Sequence, residues 1–463
     1  MDFVLLYLIL INIIAFALMG IDKSKAKRGA WRISEKMLFL SAILGGSIGA
    51  LLGMYVFHHK TRHWYFVVGM PLILAVQILL VFSLTKFYVP YQASTADNNS
   101  TVISGEQNTS NENDQKKDKH EDSQETSNQL SLIMVGDILL HDRVEEAAVQ
   151  TDGSYDYDAI FANTKNIIQD ADLALVNQEV IIGGEELGVG GYPAFNASYK
   201  MADALVDAGF DVVCHGTNHA LDRGGTGILN CIQNWKTSHP EIGVLGIHDS
   251  QEDADNIYIV EKNGIKIAIL NYTYGTNGIS APSDMPYAVD YLSEESVIAD
   301  IDRAESQADF TIICPHWGTE YYLGVDAMQK KWTSIFAEHG VDLVLGTHPH
   351  VIEPIEQVGD MLVYYSLGNF VNWTNDYGTG ISNRMVGGMA QVTLEKDGNG
   401  NVKISDHSIL PLISHVSSGT NGVTVYPLNA YTEELAEENA IRNQDSAFSL
   451  EYCINLVQQI WGL

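Results

Sequence analysis

From Leu130 onward, short apolar runs alternate with amphipathic stretches, and this alternation constrains the fold more than any other feature of the chain. Strand-like runs stand at 132–135, 173–176, 211–214, 265–270, 310–314, 341–345 and 361–365. Helical patterns lie between several of them, at 158–169, 198–208, 222–237, 293–307 and 327–339. The pattern predicts an α/β domain whose sheets are covered by helices. Beyond about residue 395 the texture becomes more β- and loop-like, with a final helix expected near 445–461. No repeat of 20–50 residues is visible.

In such folds ligands gather beyond the carboxyl ends of strands, and here those ends carry metal-type side chains. The first run ends in Gly136-Asp137, with His141 and Asp142 shortly after, and the second in Asn177-Gln178-Glu179. The third gives His215 and Asn218-His219, a later one gives His316, and the run at 341–345 leads into Gly346-Thr347-His348-Pro349-His350. In an extended segment residues two apart point the same way, so His348 and His350 are expected to converge on one object, of which a metal ion is the usual one. One carboxylate after a strand commonly caps a helix; five successive polar strand ends do not reduce to capping. Mixed oxygen and imidazole donors suit two divalent ions such as manganese, iron or zinc, with a carboxylate bridging and three His and one Asn completing the shells. A site of that kind activates water and clamps a phosphoryl or acyl group. Beside it, His219 reads either as an acid that protonates a leaving oxygen or as a histidine that orients a neighbour or caps a helix.

Charge limits the partners. The 463 residues carry a formal charge of -32, yet residues 1–90 hold nine Lys/Arg against three Asp/Glu, leaving 17 basic and 55 acidic residues for the rest. The acidic part repels nucleic acid and concentrates divalent cations. Its four cysteines show no C-x-x-C spacing, which excludes a zinc knuckle or disulfide framework, and Cys214 and Cys314 read as core residues.

The N-terminal part is of another kind. Residues 3–21 are a charge-free apolar run of spanning length without a basic leader or a cleavage site, followed by a basic loop at 22–36. Two further apolar runs, 37–57 and 65–84, are joined through His58-His59-Lys60. The middle one is rich in Gly and Ala, which suits close helix packing or a re-entrant hairpin. If 37–57 dips in and returns, both basic loops stay in the cytoplasm and the acidic domain lies outside. The expected organisation is a membrane domain at 1–90 with two or three transmembrane or re-entrant helices, then an acidic polar linker at 91–130 that cannot bury enough apolar surface to fold. The α/β domain at 131–415 follows, with a C-terminal extension at 416–463 packing on it.

Two resemblances add to this reading. Asp22-Lys23, Trp31-Arg32-Ile33-Ser34-Glu35, Leu44-Gly45-Gly46-Ser47-Ile48-Gly49 and Phe57-His58-His59-Lys60-Thr61 resemble a small bacterial membrane-domain family of unknown function, whose pattern usually has Pro at the position of Ser34. The second rests on Gly136-Asp137, Asp172-Leu173 through Asn177-Gln178-Glu179, Gly209 to Val213 with Asn218-His219-Ala220-Leu221-Asp222, His316-Trp317-Gly318-Thr319-Glu320, Gly346 to His350 and Tyr365-Ser366-Leu367-Gly368-Asn369-Phe370. Residues 131–415 so resemble the CapA family of poly-γ-glutamate capsule biosynthesis proteins, which implies a metallophosphoesterase-like αββα sandwich. Carried over by position, the resemblance implies Asp137, Glu179, Asn218, His316, His348 and His350 as metal ligands and His219 as the acid. Asn177, Ser366 and Asn369 become candidate substrate contacts. Relative to metallophosphoesterases, Glu179 stands where a bridging Asp is expected, and Leu139 replaces the His that follows the first Asp by two residues; His141 is offset from that spacing. The function implied is a protein of the bacterial cell membrane, with its C-terminal domain extracytoplasmic, serving synthesis or export of an anionic polymer beside synthase or export subunits. A non-catalytic polymer-binding scaffold subunit and a phosphodiesterase for another envelope substrate are the alternatives.

Overall fold

The computed structural model describes residues 2–27, 41–57, 128–419 and 422–463, together with 38, 39, 66, 69–74 and 77. The chain forms two compact units, Met1–Asp118 and Lys119–Leu463. The loop at 28–36, His58, His59, most of the 65–84 run and linker residues 91–127 lie outside the described residues.

In the first unit the helix Asp2–Lys27 packs against a π-helical turn, Ala42–Gly46, and the helix Ser47–Val56. Small residues let the backbones approach: a Cβ on Gly49 would stand 1.9 Å from the Asn12 carbonyl oxygen. The Asn12 side chain ties the pair together, donating to the Gly45 carbonyl at 2.8 Å and accepting from the Gly49 N–H at 2.7 Å. The 37–57 run is therefore not one spanning helix. Its backbone breaks at Gly45, where φ is 106°, and the 10-residue helix that follows is about 15 Å long, half a bilayer core. Among the described residues no helix is long and apolar enough to cross a membrane.

In the second unit, numbering strands in chain order, one sheet runs β14 (Val423–Pro427), β13 (Val402–Val416), β12 (Val386–Lys396), β1 (Gln129–Ile138), β2 (Leu173–Gln178), β3 (Val212–Cys214), β4 (Gly243–Leu245). A short β11 (Asn369–Val371) also pairs with β1. The other sheet runs β5 (Tyr258–Lys262), β6 (Ile265–Thr273), β7 (Phe310–His316), β8 (Leu343–Leu345), β10 (Met361–Tyr364), β9 (Ile355–Val358). Neighbours β1-β2-β3-β4 and β6-β7-β8-β10 are parallel. Their carboxyl ends therefore open on one side within each sheet.

Strand alternation explains the layering. Leu130, Leu132 and Met134 of β1 join Ile267, Ile312 and Leu343 of the second sheet in one buried cluster, so the two sheets pack face to face. The intervening Ile133 and Val135 turn outward onto Met201, Leu205, Ile228 and Trp235 of the helices Lys200–Ala208 and Gly224–Ser238. On the far side Ile313 and Val344 meet Val297, Ile301, Trp332 and Phe336 of Glu294–Glu305 and Ala327–Glu338. The layer order is helix, sheet, sheet, helix. The linker ends earlier than the sequence suggests, since Gln129 and Leu130 already pair with β12. The tail is part of the first sheet, through β14, and ends in the helix Leu450–Trp461.

One close approach fixes the first strand end. The Asp137 N–H donates to the Gly368 carbonyl at 2.9 Å, and a Cβ on Gly136 would stand 1.9 Å from that oxygen. Gly136→Ala must push β1 and β11 apart, and should lower unfolding stability by about 3 kcal/mol in thermal or denaturant melts.

Candidate metal centre

The polar strand ends of both sheets meet at one place. Asp137 closes β1, Asn177 lies in β2 with Glu179 just after it, Asn218 and His219 follow β3, His316 ends β7, and His348 and His350 follow β8. All of these side chains are buried. Glu179 stands at the centre: its Oε1 lies 3.6 Å from His350 Nε2, 3.7 Å from His316 Nε2 and 3.9 Å from His219 Nε2.

Asp137 is the second anchor. Its Oδ1 accepts from Asn177 Nδ2 at 2.8 Å, and its carboxylate also accepts from the His348 N–H and lies 3.2 Å from His350 Nδ1. Asn218 Oδ1 is 2.9 Å from His316 Nε2, and Thr347 Oγ1 holds the other ring nitrogen of His316 at 3.1 Å. His219 Nδ1 is 2.7 Å from Asp222 Oδ2, which also accepts from the Phe195 N–H at 2.8 Å.

The two histidines of His348-Pro349-His350 converge, but not by lying in an extended strand. Both are left-handed, with φ of 98° and 58°, and their ring centroids are 5.7 Å apart. Non-glycine residues in that region cost about 1–3 kcal/mol each and persist where the surroundings over-determine them. Here Pro349 separates them, the Pro349 carbonyl accepts from the Tyr321 N–H at 2.7 Å, and Asn369 accepts at His350 Nδ1 through Oδ1 and donates to the His350 carbonyl through Nδ2.

Burial and charge set the protonation states. Burial pushes the Glu179 carboxyl well above the usual range, against the opposing pull of His350, while the Asp137 charge adds to the rise. Burial works against a charged His350, but Glu179 and Asp137 outweigh it and raise its pKa to about 9. His316 and His348 are pushed well below the ordinary imidazole value by burial and then by their fellow histidines, so they are neutral and able to ligate.

The donor set fits a divalent cation. Both Glu179 oxygens and His348 Nδ1 are buried without a hydrogen-bond partner, a costly arrangement for groups of this polarity. Among the described residues Glu179, His348 and His350 bring one ligand atom each within 4.8 Å of one another. Three imidazoles, two carboxylates and an amide suit a borderline ion better than calcium or magnesium.

The other named positions fall as follows. Leu139 is core, and His141 is half-buried at the rim, edge-on to Phe195 at 5.0 Å, with its pKa down to about 3 through burial and the imidazole of His350. His215 turns into the core, where its Nε2 accepts from Trp235 Nε1 at 3.2 Å. Ser366 Oγ donates to the Val351 carbonyl at 2.8 Å and accepts from the Gly368 N–H, and the Asn369 amide reaches the His350 and Arg384 carbonyls. Both are buried and spent on holding the turn and His350, which leaves them no group for a substrate. Sequence reasoning passed over Asp222, Thr347, Tyr321 and Arg384. Of these, Asp222 and Thr347 carried a signal, since each stands within three residues of a candidate site histidine in sequence, whereas Tyr321 and Arg384 did not.

A cation here must displace the proton on His350. Because the folded value of about 9 lies above the unfolded value near 6.5, proton-linked stability of the metal-free protein is full below about pH 6.5 and is lost as pH rises through 9. Apparent Mn2+ or Zn2+ affinity should rise over the same window with release of a proton, readable by calorimetry in buffers of different ionisation enthalpy. His350→Ala should abolish tight binding.

Residues 131–374 match the family described as bacterial capsule synthesis protein PGA_cap, and residues 12–66 match one described as protein of unknown function (DUF1294). The PGA biosynthesis protein CapA of Bacillus subtilis is 28% identical over 291 residues, 60% of this chain and 70% of that protein. The capsule biosynthesis protein CapA of Bacillus anthracis is 26% identical over 266 residues, and the chain spans 61% of its length. The N-terminal part is 47% identical over 85 residues to uncharacterized protein YsdA of Bacillus subtilis, covering 92% of it. Among solved structures, a putative 5'-nucleotidase from Staphylococcus aureus aligns with TM-score 0.40 at 14% identity, over 61% of this chain and 54% of that one. The NAD nucleotidase of Haemophilus influenzae aligns with TM-score 0.39 at 13% identity, over 72% and 63%. Matched over more than half its length, the chain belongs to the bacterial capsule synthesis family of CapA-like poly-γ-glutamate biosynthesis proteins, with a DUF1294 unit at its N-terminus.

Proposed function

We propose that the second unit is a metal-dependent hydrolase of metallophosphoesterase type that acts in poly-γ-glutamate biosynthesis or export at the bacterial cell envelope. The observation that carries the reading is Glu179, a fully buried carboxylate without a hydrogen bond, faced by three imidazoles. Asp137, Glu179, Asn218, His316, His348 and His350 would hold one or two ions of manganese, iron or zinc. Such ions supply a nucleophilic water at neutral pH and neutralise charge on a phosphoryl or acyl oxygen.

The chain's own residues do the rest. Asn177 keeps Asp137 in place through its 2.8 Å bond. Asp222 holds His219 Nδ1 at 2.7 Å, which turns Nε2 toward the centre. His219 Nε2 then donates a proton to the leaving oxygen, and Phe195, 4.5 Å from the ring, shields that proton from bulk water. The first unit supports a membrane anchor: Ile13, Ile43, Ile48, Leu52, Val56 and Leu72 face outward while Ala15, Met19, Ala50 and Met54 are buried, an arrangement suited to lipid contact. The acidic unit would then lie outside the cytoplasm, near synthase or export subunits and their anionic polymer.

A second reading, a polymer-binding scaffold subunit without catalysis, is favoured by Leu139, a core residue two positions after Asp137 where the metallophosphoesterase pattern has a ligating His. Metal content and hydrolysis of phosphodiesters and of γ-glutamyl polymer, measured on the full chain, separate the two. His219→Ala should keep the metal and lose about a hundredfold or more in turnover. Metal-bound wild-type protein that hydrolyses neither class would leave the scaffold reading.

A further inference from the structure

One arginine beside the metal centre has most of its hydrogen-bonding capacity unused. Arg384 sits in the short 3-10 helix Ile381–Met385, and its guanidinium carbon lies 3.8 Å from the centroid of the Tyr321 ring. That ring in turn lies 5.9 Å from the His350 ring, so a single aromatic side chain separates Arg384 from a candidate ligand. The Arg384 carbonyl accepts from Asn369 Nδ2 at 2.9 Å, and Asn369 Oδ1 contacts His350 Nδ1 at 3.1 Å. Backbone and side chain of Arg384 are both tied to His350 through one intermediary.

The side chain is 13% exposed, and among the described residues its Nε is buried with no partner and Nη1 alone is engaged, to Asp376 Oδ2 at 2.7 Å. A guanidinium offers five donors in a planar fork matched to an oxyanion. Asp376 is itself 59% exposed and stands at an open end of the fork, so it costs little to move.

The segment that carries both residues is fastened from the C-terminal tail. Gln444 Nε2 donates to the Thr374 and Asp376 carbonyls at 2.7 and 2.9 Å. Asp445 Oδ2 accepts from the Gly380 N–H, the Ser382 N–H and Ser382 Oγ at 2.9–3.1 Å, and Tyr452 Oη donates to Asn383 Oδ1 at 2.5 Å. The fork is thus preorganised by contacts that Arg384 itself does not make.

We infer that Arg384 is the anion-reading residue beside the metal centre: it binds a substrate oxyanion next to the group held there, and the Asp376 carboxylate occupies that place until the substrate displaces it. This rests on the hydrolase reading for the word substrate, but not for the binding itself. The oxyanion is a carboxylate, as every γ-linked glutamyl unit carries, or a phosphate oxygen.

The test is binding by the metal-loaded full chain of two probes, a γ-linked glutamate oligomer and inorganic phosphate, with metal content measured for every variant. Arg384→Ala should weaken the relevant probe about ten- to a hundredfold at unchanged metal content. Arg384→Lys should recover only part of it, because an ammonium cannot present a fork. Asp376→Asn, which removes the competitor, should tighten the same probe several-fold. An Arg384 dependence seen with the oligomer alone identifies the carboxylate, and one seen with phosphate alone identifies the phosphoryl oxygen. Affinities for both probes that are equal in wild type and Arg384→Ala, or no binding of either by wild type, would overturn the inference. If the Arg384 dependence holds while no substrate is hydrolysed, the hydrolase reading falls and the anion site stands.

Discussion

A carboxylate held in a fully buried position with no donor to satisfy it is the constraint on which the rest of the site depends. Glu179 has both oxygens unpaired, and three imidazole nitrogens lie 3.6–3.9 Å from its Oε1, too far for ordinary hydrogen bonds and close enough to share a cation. Glu179 and Asp137 together favour a positive charge among these rings and raise the His350 pKa to about 9, while burial drives His316 and His348 the other way. The cluster is a set of ligands whose charges balance only when a cation is counted.

Assembling that set from both sheets requires the sheets to be fixed against each other. Met134 and Cys214 of the first sheet share a buried layer with Cys314 and Leu345 of the second, one or a few residues before the functional side chains on each strand. A slip of one residue in any strand would exchange the core face for the helix face. Packing therefore specifies the site indirectly: the side chains that ligate stay in place because their apolar neighbours allow one register only. The left-handed His348 and His350 show where packing alone is insufficient, since their backbones are held by Asp137, Tyr321 and Asn369.

What could be read from the sequence follows the same division. Apolar runs ending in Asp137, Glu179, Asn218, His316 and His348 were visible because strand period and burial are local properties. The geometry of His348-Pro349-His350 was not, because an extended segment and a strained turn both converge two histidines. Ser366 and Asn369 looked available for a substrate since a turn motif does not reveal that its hydroxyl and amide are spent on its own backbone. The break at Gly45 lies in the Gly- and Ala-rich run whose composition suggested close helix packing or a re-entrant hairpin, although nothing in the run singled out that residue. Arg384 left no trace at all: Tyr321, which its guanidinium covers, and Asp445, which fastens its segment through Gly380 and Ser382, are more than sixty residues away in sequence and meet that segment only in the folded unit.

The tail and the charge balance then bear on one another. The second unit, with 50 acidic and 15 basic residues, gives an anionic polymer no reason to lie along its surface. Exposed carboxylates are screened by salt within about 10 Å. The Arg384 guanidinium, largely buried, and a cation among the histidines are screened far less. Attraction would then be confined to the site, and the surrounding repulsion would act against every other mode of binding. On the proposed reading a polyanion would be held a unit at a time at the metal centre and not along its length, and the Gln444 and Asp445 contacts would matter because a local site of that kind works only if its one fork is held still.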